Sequence, residues 1–91
     1  MKARWSLRAL AQLREAHDYT AHHNVSAARE FVVSATALAE LLGAHPGIGI
    51  ETDEPSVIMF PLVRYRYLIF YKILRKKEVL IIRLRHASRR R

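Results

Sequence analysis

The stretch Tyr65-Arg66-Tyr67-Leu68-Ile69-Phe70-Tyr71-Lys72-Ile73-Leu74, followed after Arg75-Lys76-Lys77-Glu78 by Val79-Leu80-Ile81-Ile82-Arg83-Leu84-Arg85-His86, reads as two β-strands joined by a short charged hairpin connection. β-Branched and aromatic residues dominate both runs, a composition that fits a pleated, half-buried surface. Alternation separates the faces. In the first run Tyr67, Ile69, Tyr71 and Ile73 fall on one side and Arg66, Leu68, Phe70 and Lys72 on the other. In the second, Leu80, Ile82 and Leu84 oppose Val79, Ile81, Arg83 and Arg85. The first set of each pair is expected to face the interior. The other face then mixes Leu68, Phe70, Val79 and Ile81 with Arg66, Lys72, Arg83 and Arg85. An apolar strip edged by cations commonly marks a binding site.

Upstream of the hairpin, Val57 to Leu62 is a third strand candidate. The segment His45 to Ser56 contains Pro46, Gly47, Gly49, Pro55 and the acids Glu51, Asp53 and Glu54, which predicts a surface loop with short turns only. Before it, Ala28, Phe31, Val32, Ala35, Leu38, Ala39 and Leu42 hold a helical stripe. Asn24 and Ser26 supply its cap, and Gly43 with Pro46 is expected to stop it at about Leu42. An earlier helix begins at the N-cap Ser6, runs to about His23 and is expected to bury Leu7, Leu10, Leu13 and His17. Met1 to Trp5 alternates basic and apolar residues and reads as an edge strand, with Trp5 as a core aromatic. Two helices followed by adjacent strands predict an α+β fold: an N-terminal edge strand and a two-helix hairpin packed on one face of a small antiparallel sheet.

The 91 residues suffice for one core, so residues 1–91 are read as a single domain. An apolar fraction of 51% and a charged fraction of 26% argue against disorder. Without cysteine there is neither a disulfide framework nor a thiolate metal site. Arg8 and Arg14 interrupt the early leucines, so no signal-peptide pattern forms, and a cytoplasmic location is expected. No run approaches the roughly 18 apolar residues of a membrane helix, and no membrane partner is expected. The net charge of +8 is uneven: residues 1–62 carry five basic and seven acidic side chains, whereas residues 63–91 carry eleven basic ones and Glu78 as their single acid. Such a block favours an anionic partner, by charge alone a nucleic acid, an acidic protein segment or a membrane surface.

The hairpin strings Arg64 to Ile73 and Glu78 to His86 closely resemble the C-terminal hairpin of ParE-type toxins in the ParE/RelE superfamily. Arg4-Trp5-Ser6, Ala9-Leu10, Leu13, Asp18-Tyr19, Ala27-Ala28 and Pro46-Gly47-Ile48-Gly49 are similar to residues that family carries at corresponding places, so the resemblance extends from about Lys2 to Arg90. It implies the RelE/ParE-like fold, in agreement with the periodicity. It also implies the toxin of a type II toxin-antitoxin system, serving plasmid or chromosomal stability, that inhibits DNA gyrase and is neutralised by a ParD-like antitoxin. The alternative from the RelE branch is a ribosome-dependent messenger endoribonuclease. Such an enzyme needs cations on the scissile phosphate and a polar acid/base group. Leu68 stands where that branch places a functional arginine, and Arg89-Arg90-Arg91 stands in place of its C-terminal tyrosine. No catalytic residue is therefore expected; if the chain were a ribonuclease, Arg83, His86 and Arg89 would carry the reaction. Members often have arginine where this chain has Ile50 and Ile58, which bears on potency rather than fold.

The expected binding residues are Arg66, Leu68, Phe70, Lys72, Ile81, Arg83 and Arg85, and their expected partner is the acidic, amphipathic segment of the antitoxin. His17, His22 and His23 lack the spacing that places two imidazoles on one helical face, so no metal is expected. The chain has no glycine-rich phosphate loop and no aromatic RNA-binding signature, so neither a cofactor nor direct nucleic-acid binding is favoured. Asp18, Glu51, Asp53 and Glu54 are read as structural or solvating carboxylates, and the terminal arginines as a charged contact.

Overall fold

Ser6 joins the first strand to the first helix. The computed structural model describes residues 2–75 and 78–88, and in it Ser6 follows strand β1 (Ala3–Trp5) and precedes helix α1 (Leu7–Ala21). Its N–H donates to Ile81 O at 2.9 Å. Its Oγ accepts from Ala9 N at 3.0 Å, the expected N-cap, and donates to Ile82 O at 3.2 Å. Asn24 caps helix α2 (Val25–Ala44) by accepting from Ala27 N at 2.9 Å, while Ser26 lies within that helix.

Helix α2 buries Ala28, Phe31, Ala35, Ala39 and Leu42, with Val32 and Leu38 packed at the margin, as its periodicity predicts. It continues to Ala44, because Gly43 is helical and buried instead of forming a left-handed cap. The chain leaves the helix at His45 (φ −135°, ψ 71°), the residue before Pro46, where proline disfavours the α conformation. In α1 the buried residues are Ala9, Leu13 and Ala16. Leu7 and Leu10, expected inside, are 86% and 45% exposed, and His17 is half-exposed beside Asp18. Small alanines let α1 approach its neighbours closely, so a pattern weighted toward leucine selects the wrong face.

The remaining strands are β2 (Ile50–Glu51), β3 (Ile58–Leu62), β4 (Tyr67–Ile73) and β5 (Val79–His86). Among the described residues they and β1 form one sheet in the order β1-β5-β4-β3-β2. The sheet is mixed rather than purely antiparallel, since β1 runs parallel to β5. Strand β2 and a 3-10 turn at Pro46–Ile48 occupy the segment expected to be a loop. Tyr65 ends a second 3-10 turn, Val63–Tyr65, and Arg66 takes a left-handed conformation (φ 61°), so β4 starts at Tyr67. The hairpin closes through Leu74 N to Glu78 O at 2.7 Å; Lys76 and Lys77 of its connection lie outside the described residues.

A β-bulge between β4 and β5 corrects the face assignment. Phe70 pairs with Arg83 but Tyr71 pairs with Ile81, which leaves Ile82 as the extra residue. Val79 and Ile81 therefore point toward the helices and are fully buried, while Leu80 points away. Beyond the bulge Leu84 faces inward and Arg83 and Arg85 outward, as expected. Gln12 Oε1 accepts from Leu84 N at 2.7 Å, so α1 satisfies a backbone donor that β1 ends too early to reach. The core between helices and sheet contains Leu13, Phe31, Leu42, Ile69, Tyr71, Val79 and Ile81, with half-buried Trp5 packed against it.

Candidate functional site

The sheet face away from the helices is organised in cross-strand rows. Ile50, Met59, Phe70 and Arg83 form one row, Pro61, Leu68 and Arg85 a second, and Lys72, Leu80 and Arg4 a third. Phe70 is 5% exposed although it lies on the side opposite the helical core. Its cover is cationic: the guanidinium carbons of Arg83 and Arg85 stand 4.3 and 5.3 Å from the ring centroid. Such stacking joins apolar contact to attraction between the cation and the ring face.

The cations of this face are not equivalent. Arg83 Nη2 donates to Glu54 Oε1 at 3.0 Å, and Arg4 lies 3.7 Å from Glu78. Lys72 and Arg85 have no ion-pair partner among the described residues. The face thus offers two open positive charges beside Leu68, Met59 and Leu80, all half-buried. An extended or helical segment with apolar groups on one side and carboxylates along its edge would complement it.

Of the seven residues expected to bind a partner, the structure brings together Leu68, Phe70, Lys72, Arg83 and Arg85. Ile81 is not among them, because the bulge turns it into the core. Arg66 is also displaced, since its left-handed conformation precedes the strand. The residues expected in a ribonuclease are separated: Arg83 projects from the open face, whereas His86 pairs with Tyr67 on the helix side. There its ring meets Tyr67 edge-on at 5.0 Å, and its Nδ1 accepts from Ser88 N at 3.2 Å. Arg89 lies outside the described residues. Ile50 is exposed at the edge of the open face, and Ile58 packs against the core. No group of three or more histidine, cysteine, aspartate or glutamate residues converges among the described residues.

Sequence reasoning missed Glu54, Ile50 and Met59 as members of this face. The last two follow from strand pairing once β2 is known, but two residues in a proline- and glycine-rich segment carry too little periodicity to reveal a strand. No local pattern marks Glu54, whose partner is 29 positions away.

No curated protein matches the sequence. Among solved structures, a chain of the chromosomal ParDE TA system from P. aeruginosa superimposes with a TM-score of 0.82 at 23% identity, over 97% of each chain. The isolated E. coli RelE toxin gives 0.64 at 22% identity, covering 98% of this chain and 86% of that one. A chain of the intact E. coli RelBE toxin-antitoxin complex gives 0.63 at 22% identity, covering 97% and 98%. At these identities the likeness is one of fold. The family model for the ParE toxin of the type II toxin-antitoxin system parDE matches residues 3–91, and the chain belongs to that family.

Proposed function

We propose that this toxin inhibits DNA gyrase by binding it, without cleaving a substrate, and that a ParD-like antitoxin neutralises it by laying an acidic, amphipathic segment along the open sheet face. The observation that supports a non-catalytic mode is the separation of Arg83 from His86 on opposite faces of β5. A phosphate held by Arg83 and Arg85 would lie across the sheet from the imidazole, beyond the reach of roughly 3 Å that proton transfer requires. Ile50 and Met59 beside Leu68 support an apolar contact, and Lys72 and Arg85 support acidic partner residues. Burial on that face would supply most of the affinity at about 25 cal/mol per Å², while the charges would govern association rate and partner choice. No described helix is long and apolar enough to cross a membrane, and the proposed target is cytoplasmic.

The test is a supercoiling assay with purified gyrase beside a ribosome-dependent messenger cleavage assay. Supercoiling should fall as the chain is titrated in, and His86→Ala should inhibit equally well. Messenger cleavage that disappears in His86→Ala would establish the ribonuclease instead.

A further inference from the structure

Glu54 holds a largely enclosed cation of the open face. Arg83 has only 23% of its side chain exposed, is stacked on Phe70, and gives Nη2 to Glu54 at 3.0 Å. The loop that presents Glu54 is built by other groups. Thr52 Oγ1 donates to Val57 O at 2.9 Å and accepts from Glu54 N at 3.2 Å, and Val57 N donates to Glu54 O at 3.1 Å. Ser56 closes the turn in a left-handed conformation (φ 67°). None of these bonds uses the Glu54 carboxylate, which is therefore held over Arg83 and is dispensable for the turn.

We propose that Glu54 is an internal competitor for the antitoxin's carboxylates, occupying Arg83 until an acidic segment displaces it; this rests on the reading of the open face as the antitoxin seat. The order of contact follows from the charges. Lys72 and Arg85, which have no carboxylate of their own among the described residues, meet the incoming acid first. Arg83 is engaged by exchange, because an ion pair whose carboxylate is 54% exposed is weak enough to be replaced. Glu54 also places a negative charge beside the path of an anionic partner. Its removal should accelerate association about three- to tenfold at low ionic strength and much less at high salt.

The experiment measures binding of a fluorescein-labelled amphipathic peptide, with leucine and glutamate at alternate positions, to the full chain by stopped flow. Glu54→Gln should speed association and Arg85→Glu should slow it. Thr52→Val, which loosens the loop but keeps the carboxylate, should also speed association. If Arg85→Glu slows binding while Glu54→Gln leaves it unchanged or weakens it, the competitor is overturned and the seat stands. If neither Arg85→Glu nor Leu68→Asp alters binding, the seat itself is wrong and the competitor falls with it.

Discussion

Tyr71 shows how one side chain ties the Pro46-Gly47-Ile48-Gly49 turn to the sheet. Its ring is fully buried, and its hydroxyl donates to Pro46 O at 2.8 Å and accepts from Gly49 N at 3.1 Å. A Cβ on residue 49 would collide with Ile58 Cγ2 and Tyr71 Oη, so the glycine is required by close approach rather than by an unusual backbone angle. Burial raises the Tyr71 pKa above its ordinary 10.0, an effect that the Gly49 N–H opposes in part. The folded state thus keeps the phenolic proton longer than the unfolded state. Stability from this group is complete below about pH 10 and is lost as pH rises through the folded-state value. Tyr71→Phe should cost about 1–2 kcal/mol at pH 7, and because phenylalanine cannot titrate, its deficit against the parent should shrink above pH 10. Urea unfolding at the two pH values measures it; a deficit that does not change with pH would contradict the assignment.

At the scale of elements, helix α2 was legible from its continuous stripe, and strand β4 from the alternation of Tyr67, Ile69 and Tyr71, although Ile73, assigned to the same interior face, is 42% exposed at the strand's end. Phe31 lies at the centre of the α2 stripe, 1% exposed, with the Tyr67 and Tyr65 rings 5.1 and 5.3 Å away. Phe31→Ala should cost about 3–5 kcal/mol, a large part of a domain total near 5–15 kcal/mol, and an unchanged thermal transition would refute the packing. Strand β5 was half legible. Arg83, Leu84 and Arg85 identify the faces beyond the bulge, but Val79-Leu80-Ile81-Ile82 is apolar throughout and fits either phase. One extra residue then inverts every assignment before it. In α1, Ala9 and Ala16 carry the contact with little hydrophobic weight, while exposed Leu7 and Leu10 carry much and bury little. The pairing of β1 with β5 joins segments more than 70 residues apart and leaves no mark in local pattern.

For the whole molecule, the two faces of the sheet carry different groups. The helix side holds the core that stabilises the domain, and the open side, proposed above as the antitoxin seat, carries Leu68, Met59 and a ring-stacked pair of arginines. The charge imbalance between residues 1–62 and 63–91 was visible in the sequence, and so was the share of the apolar strip carried by Leu68 and Phe70, whereas Val79 and Ile81 belong to the core; the neutralisation of Arg83 by Glu54 was not visible, because it depends on how a loop folds back. The rival surface is the outer side of α1, where Leu7, Leu10 and Ala11 line a shallow hollow with Arg14. Dissociation of the cognate antitoxin from Leu68→Asp decides between them, since Leu68 is half-buried on the open face and contributes nothing to the helix-side core. Dissociation should be at least about tenfold faster than from the parent, the equivalent of roughly 1.4 kcal/mol, with the thermal transition retained. An unchanged dissociation rate in Leu68→Asp, together with faster dissociation in Leu10→Asp, would contradict it and move the seat to α1.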